Sequence, residues 1–178
     1  YSGNHTHQHP LQTLIASASA LKDYEQIVFV FVGGGAAKKE INDLVANGAS
    51  NIVSLPYQPL ALLRSTLRSA DVQVVVVGED TVGIVHPCKI YSALYVGCPI
   101  LLISPYECPA AEIVRDLNAG WQVEHGDDSA TKDTILKIHR LSADARQRFG
   151  EQGAAGVRQH YSRERLLGLL TSFISSDV

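Results

Sequence analysis

Three short apolar runs constrain this chain more than any other feature: Ile27 to Val32 (IVFVFV), Val72 to Val77 (VQVVVV) and Pro99 to Ser104 (PILLIS). Each is rich in β-branched or aromatic side chains and too short for a buried helix. None alternates strictly between apolar and polar, which is the mark of strands covered on both faces, as in a parallel sheet. Asn51 to Leu55 and Trp121 to Val123 read as shorter strands, and Tyr1 lies in what reads as an opening strand. Helical spacing fills the intervals. Leu11, Leu14, Ile15, Ala18 and Leu21 share one face, as do Ile41, Leu44 and Val45, and then Leu60, Leu63 and Leu67. Further helices are expected over about 89–96, 110–117 and 131–141. The tail from 143 to 175 reads as two helices broken near Tyr161-Ser162, with Leu166, Leu170, Phe173 and Ile174 as the last apolar stripe.

About six alternations of strand and helix predict an α/β class, doubly wound, with a mainly parallel sheet of about six strands and flanking helices. The 178 residues suit one domain, 1–178, and are too few for two. A formal charge of −3 argues against a nucleic-acid partner. No apolar run reaches the ~18 residues of a membrane span, and no secretory signal is visible. A cytoplasmic location and a chain cut from something longer are therefore expected. Cys88, Cys98 and Cys108 lack metal or redox spacing and read as buried free thiols.

In such sheets ligands bind at the carboxyl ends of the strands, so the loops after the strands carry the candidates. Gly33-Gly34-Gly35, followed by Ala36, Ala37 and Lys38, opens a helix but is neither a dinucleotide fingerprint nor a Walker loop. It is either a tight turn or a place where an anion meets free backbone N–H groups. Gly3-Asn4 precedes His5, His7 and His9, which in an extended strand would share one face like a metal cluster. No carboxylate or cysteine supports them, so no metal is expected; the loop is either solvated or offers imidazole and amide groups to a phosphate. Pro56-Tyr57-Gln58-Pro59 is a proline-ordered turn, or one wall of a base pocket with Tyr57 as its flat face. Gly78 to Lys89 is the richest loop. Lys89 stands at the amino end of a helix, where its charge opposes the helix dipole, and a bound phosphate would reconcile the two. Glu112 and Arg115, three apart, read as a surface pair. No residue is singled out as catalytic.

Taken in order, these segments resemble the carboxyl-terminal domain of group-1 (family 4) retaining glycosyltransferases with two Rossmann-like domains. VFVFVGGGAAKKEI (28–41) resembles the second strand and glycine turn; NIVSLPYQP (51–59), SADV (69–72) and AAEIVRDLNAGWQVEHGD (110–127) follow in the family's order. HPCKIYSALYVGCPILL (86–102) is nearest to the subgroup typified by colanic-acid-type transferases. The resemblance implies the donor half of a GT-B fold, with UDP- or GDP-sugar as substrate, no metal or other cofactor, and polysaccharide or glycolipid synthesis as the setting. It implies an acceptor domain preceding this chain, through which the full protein would associate peripherally with the inner face of a membrane.

On this sequence the resemblance implies that Gly3, Asn4, His9 and Lys89 face the diphosphate. Gly34 lies in the second loop, and Tyr57 with Gln58 borders the base. The donor sugar meets the loop from Gly83 through His86. The family's two glutamates, eight residues apart, fall on Ile84 and Ser92; Ser92 offers a hydroxyl where a carboxylate would clamp the ribose. Those departures keep two other readings open: a non-catalytic scaffold with a degenerate donor site, and a sugar-nucleotide epimerase-like domain.

Overall fold

The computed structural model describes residues 1–6 and 8–176. Among them are five strands, β1 (Phe29–Val32), β2 (Ile52–Leu55), β3 (Gln73–Val76), β4 (Ile100–Ile103) and β5 (Gly120–Val123). Eight α-helices accompany them: α1 (Gln12–Ala20), α2 (Lys38–Ala46), α3 (Leu63–Arg68), α4 (Lys89–Tyr95), α5 (Pro109–Asp116), α6 (Asp128–Arg140), α7 (Ala143–His160) and α8 (Arg163–Ser176). Every strand pairing is parallel, as the continuous apolar runs require. The ladder is divided, however, into β1-β2 and β3-β4-β5. The opening strand shrinks to one bridge, Ser2 beside Val32.

Burial explains the strand composition. All four residues of β4 are buried, with Ile100, Leu102 and Ile103 fully enclosed. Its two faces feed different cores. Leu101 and Ile103 join Phe31, Leu14, Ala18 and Leu136 beneath α1 and α6, whereas Ile100 and Leu102 join Ile90, Leu94 and Val114 beneath α4 and α5. A strand buried on both faces cannot alternate, and each enclosed Leu or Ile stabilises the fold by about 1.5–3 kcal/mol. Helix starts are set locally: the Asp127 side chain accepts the Ala130 N–H at α6, and Ser142 accepts that of Ala145 at α7.

Three expectations need correction. Leu60 and Leu63 do not form a buried face with Leu67: a 3₁₀ turn (Leu60–Leu62) precedes α3 and leaves them 84% and 40% exposed, so only Leu67 is buried. Cys88 is exposed while Cys98 and Cys108 are buried, because Cys88 precedes α4 on the loop side; enclosure pushes the Cys98 thiol up to about 12. Arg115 does not reach Glu112. Its guanidinium turns to the Tyr106 carbonyl and Gln122 and lies over the Tyr106 ring.

α7 packs against α4 through glycines. A Cβ at Gly150 would lie 2.0 Å from the Gly97 carbonyl oxygen, and one at Gly153 2.6 Å from a Leu94 methyl. Gly156 meets Leu117 in the same way. The break between α7 and α8 falls at Tyr161-Ser162, as the sequence predicts, but Leu166, Leu170, Phe173 and Ile174 are about half or more exposed.

Candidate functional site

The segments Gly3 to Thr6 and Gln8 to Leu11 are laid across the carboxyl ends of β1 and β3, and glycines permit it. Gly33 and Gly35 have φ of 130° and 131°, a region that disfavours side chains. A Cβ at Gly33 would stand 2.0 Å from the Gly3 carbonyl oxygen, and one at Gly35 2.4 Å from that of His5. Backbone hydrogen bonds fasten the loop: Gly3 N to Val32 O at 2.9 Å, His5 N to Gly34 O at 2.8 Å, Ala37 N to His5 O at 3.1 Å and Gly78 N to Gln8 O at 3.2 Å. Gly33 also donates to Leu55 O, and Lys38 N to Gly35 O. Of the glycine turn's own N–H groups, those of Gly33 and Ala37 thus hold neighbouring segments, and that of Lys38 closes the turn on itself. The Lys38 ammonium is likewise committed, donating to the carbonyls of Phe31 and Leu55 at 3.0 and 2.7 Å.

Five of the residues singled out from the sequence meet here. Lys89 Nζ donates to the Tyr1 hydroxyl at 2.8 Å and lies 4.4 Å from the centre of its ring. The Tyr1 hydroxyl donates to the Asn4 carbonyl at 2.5 Å. The Tyr57 hydroxyl donates to the Asn4 side-chain oxygen and lies 3.3 Å from Gly34 O. Lys89 sits directly over Gly3, since a Cβ there would be 2.5 Å from Lys89 Cε and Nζ. Gly34 faces the Tyr57 ring, 3.2 Å from its own would-be Cβ. Gly3, Asn4, Gly34, Tyr57 and Lys89 thus form one patch, bound together through Tyr1.

His9 flanks this patch. Burial lowers its pKa, and the Lys89 charge pushes in the same direction. Its Nδ1 is buried without a hydrogen-bond partner, as are Thr6 Oγ1 and His5 Nε2. Buried polar atoms left unpaired are uncommon and costly. Lys89 is itself half-buried, and among the described residues no carboxylate pairs with it. Desolvation pushes its ammonium down from 10.5 to about 8.

The remaining sequence candidates lie apart. Gln58 folds back onto the Pro56 carbonyl at 3.1 Å. His86 is exposed and pairs with the Tyr91 hydroxyl at 2.8 Å. Gly83 is exposed in the loop after β3, with open space around it. Ser92 is exposed on α4, one turn beyond Lys89, and Ile84 is 81% exposed. His7 lies outside the described residues, so the three-histidine face is not described as a unit. Among the described residues no three His, Cys, Asp or Glu gather where a metal could sit.

Sequence reasoning missed Tyr1 and Thr6, and read His5 only as one of three histidines on a shared face. The glycines at 33 and 35, one residue apart, were the available signal: such a pair admits a second backbone pressed against the turn. Two cavities border the patch without coinciding with it. One, about 620 Å³, is walled by Gln8, Thr13, Gly78 and His125; the other, about 750 Å³, lies behind Tyr1 between β1 and β3.

A parallel sheet flanked by helices, with loops converging at the carboxyl ends of its strands, defines a Rossmann-like α/β domain. The family model described as glycosyl transferases group 1 matches residues 1–155, and the chain belongs to that family. No curated protein matches it in sequence. Among solved structures it is similar to a mutant of Staphylococcus aureus TarM in complex with fondaparinux, α-GlcNAc-glycerol and UDP, with a TM-score of 0.78 at 16% identity. That match covers 97% of this chain and 34% of TarM's, so the chain spans about a third of that structure's length. The C-terminal domain of a Francisella tularensis group 1 glycosyl transferase family protein, LpcC, matches with a TM-score of 0.70 at 19% identity, over 90% of this chain and 84% of that one. The catalytic domain of Helicobacter pylori cholesterol-α-glucosyltransferase matches at 0.72 and 16% identity, over 91% and 96%. These likenesses give the fold, the Rossmann-like half of GT-B. Among the described residues no helix is long and apolar enough to cross a membrane.

Proposed function

We propose that this domain binds the nucleotide-sugar donor of a retaining, family 4 glycosyltransferase of colanic-acid type, which moves a sugar from UDP or GDP to an acceptor. The observation that carries the reading is Lys89: a half-buried ammonium with no carboxylate partner among the described residues, poised over Gly3 beside the unpartnered Nδ1 of His9. A diphosphate would answer both, giving the cation a counter-charge and the imidazole a partner. As the glycosidic bond breaks, negative charge grows on the departing diphosphate, and a fixed ammonium stabilises it without reorganising. Tyr57 presents a 58% exposed ring at the far side of the patch, suited to stacking on a base. The acceptor would bind a second domain, outside these residues, closing over the same ends of the strands. The setting this implies is polysaccharide or glycolipid assembly at the inner face of a membrane.

A second reading, a binding domain with a degenerate donor site, is favoured by one observation. Ile84 and Ser92, where the resemblance implies glutamates, are both exposed and bring no charge to a ribose or sugar.

Ligand-observed NMR titration with UDP, GDP and NAD separates the two. The donor-domain reading expects UDP or GDP to bind selectively, with the signal lost in Lys89→Ala. Binding of none of the three refutes it and leaves the degenerate domain.

A further inference from the structure

Two lysines stand beside the first loop, and their partners differ in kind. The Lys38 ammonium is spent on two backbone carbonyls, those of Phe31 and Leu55. Lys89 Nζ donates instead to a side chain, the Tyr1 hydroxyl at 2.8 Å. An ammonium has three N–H donors, and among the described residues Lys89 spends one. Tyr1 is itself held still. Its carbonyl accepts from Val32 N at 2.8 Å, and Gly3 N, two residues on, donates to Val32 O at 2.9 Å, which fastens this stretch of backbone to β1. The side chain is enclosed as well: Tyr1 is 8% exposed, and its ring meets that of His5 edge-on with centroids 5.3 Å apart. The hydroxyl proton is committed to the Asn4 carbonyl at 2.5 Å, which leaves an oxygen lone pair for Lys89.

We infer that Tyr1 is a positioning residue: its hydroxyl and ring fix the Lys89 ammonium over Gly3, charge unspent, for the diphosphate of the donor. The inference rests on the donor-domain reading above and names what makes its lysine effective. A free lysine stem samples many rotamers, and a ligand that uses the ammonium must freeze them at a cost in affinity. Here the fold does the freezing. The ammonium lies 2.8 Å from the hydroxyl and 4.4 Å from the ring centre, and Lys89 Cε and Nζ fill the space a Gly3 Cβ would take. A carboxylate could hold the lysine as firmly, but it would neutralise the cation that an anion needs. A phenol does not. Burial pushes the Tyr1 hydroxyl above its ordinary range, so it stays neutral and offers a dipole rather than a counter-charge.

NMR of the Lys89 side chain tests this, its ε-methylene signal assigned by its absence from Lys89→Arg. In the parent that signal should stand away from the ordinary lysine position and show a nuclear Overhauser contact to the Tyr1 ring. Tyr1→Phe keeps the ring and removes the hydroxyl. The shift and the contact should both diminish, and the Kd for whichever of UDP and GDP the parent binds should rise on the order of tenfold. The thermal midpoint of the variant records any change in the fold separately. A parent whose Lys89 signal lies at the ordinary position with no contact to the ring overturns the inference without any variant. An unchanged Kd in Tyr1→Phe overturns it too, and so does a weakened Kd with the lysine unmoved. In each of these cases nucleotide binding by the parent leaves the donor reading standing. A parent that binds neither nucleotide refutes that reading, and this role for Tyr1 with it.

Discussion

If Lys89 receives a diphosphate, its proton should report the event. In the free domain desolvation holds the ammonium near 8 rather than 10.5. That difference corresponds to about 3 kcal/mol against the charged form, and solvent reaching a half-buried group screens it to roughly half. A bound anion restores the charge and returns the pKa toward its ordinary value. Below pH 8 the lysine is protonated both free and bound, so affinity is flat. Above pH 8 the free domain loses the proton that the complex retains, and binding must take one up. The dissociation constant for UDP or GDP should therefore rise about tenfold between pH 7.5 and 9.5. Lys89→Arg keeps its charge throughout that range and should show a flat profile apart from titration of the base, which both proteins share. Calorimetry in two buffers of different ionisation enthalpy counts the proton directly: a fraction approaching one at pH 9 for the parent, near zero for the arginine variant. Identical pH profiles in the two proteins would refute the placement of Lys89 on the phosphates.

Three further outcomes follow from the packing and the charges. Gly33→Ala sets a Cβ 2.0 Å from the Gly3 carbonyl at φ 130° and should cost about 2–4 kcal/mol in urea denaturation, with nucleotide binding lost as the first loop shifts. Gly150→Ala should destabilise despite its gain in helix propensity, because its Cβ meets the Gly97 carbonyl at 2.0 Å; Gly168→Ala, on α8 with open space around it, should stabilise by about 0.5–1 kcal/mol. His5 and His9, whose pKa values burial lowers, make the unfolded chain bind more protons than the folded one around and below their ordinary value of about 6.5. Stability in urea denaturation should thus fall as pH is lowered through that range.

The strands were legible because burial on both faces leaves a compositional trace: IVFVFV, VQVVVV and PILLIS each contain the strand observed, trimmed by one or two residues. The convergence of Gly3, Asn4, Gly34, Tyr57 and Lys89 was legible for a topological reason, since loops after parallel strands must meet at one end of the sheet. Gln58, Gly83 and His86 sit on equally good loops and Ser92 on α4 beside Lys89, yet side-chain direction, which sequence does not carry, turns Gln58 back to Pro56 and His86 to Tyr91. The Leu60 and Leu63 face misled for a related cause. A helical spacing of leucines says which residues share a side, not whether another element comes to cover it. Tyr1, the hub of the patch, was hidden because its role depends on contacts 88 positions away in sequence.

The glycine row of α7 also bears on the order of folding. Three glycines in one helix cost about 3 kcal/mol relative to alanines, so α7 has little helicity of its own to offer a nucleus. Its glycines meet the Gly97 turn, Leu94, Ala119 and Leu117, which exist only once α4, α5 and the strands between them are in place. α7 should therefore coil and dock after the transition state, and the clash of Gly150→Ala should appear as faster unfolding with a nearly unchanged folding rate.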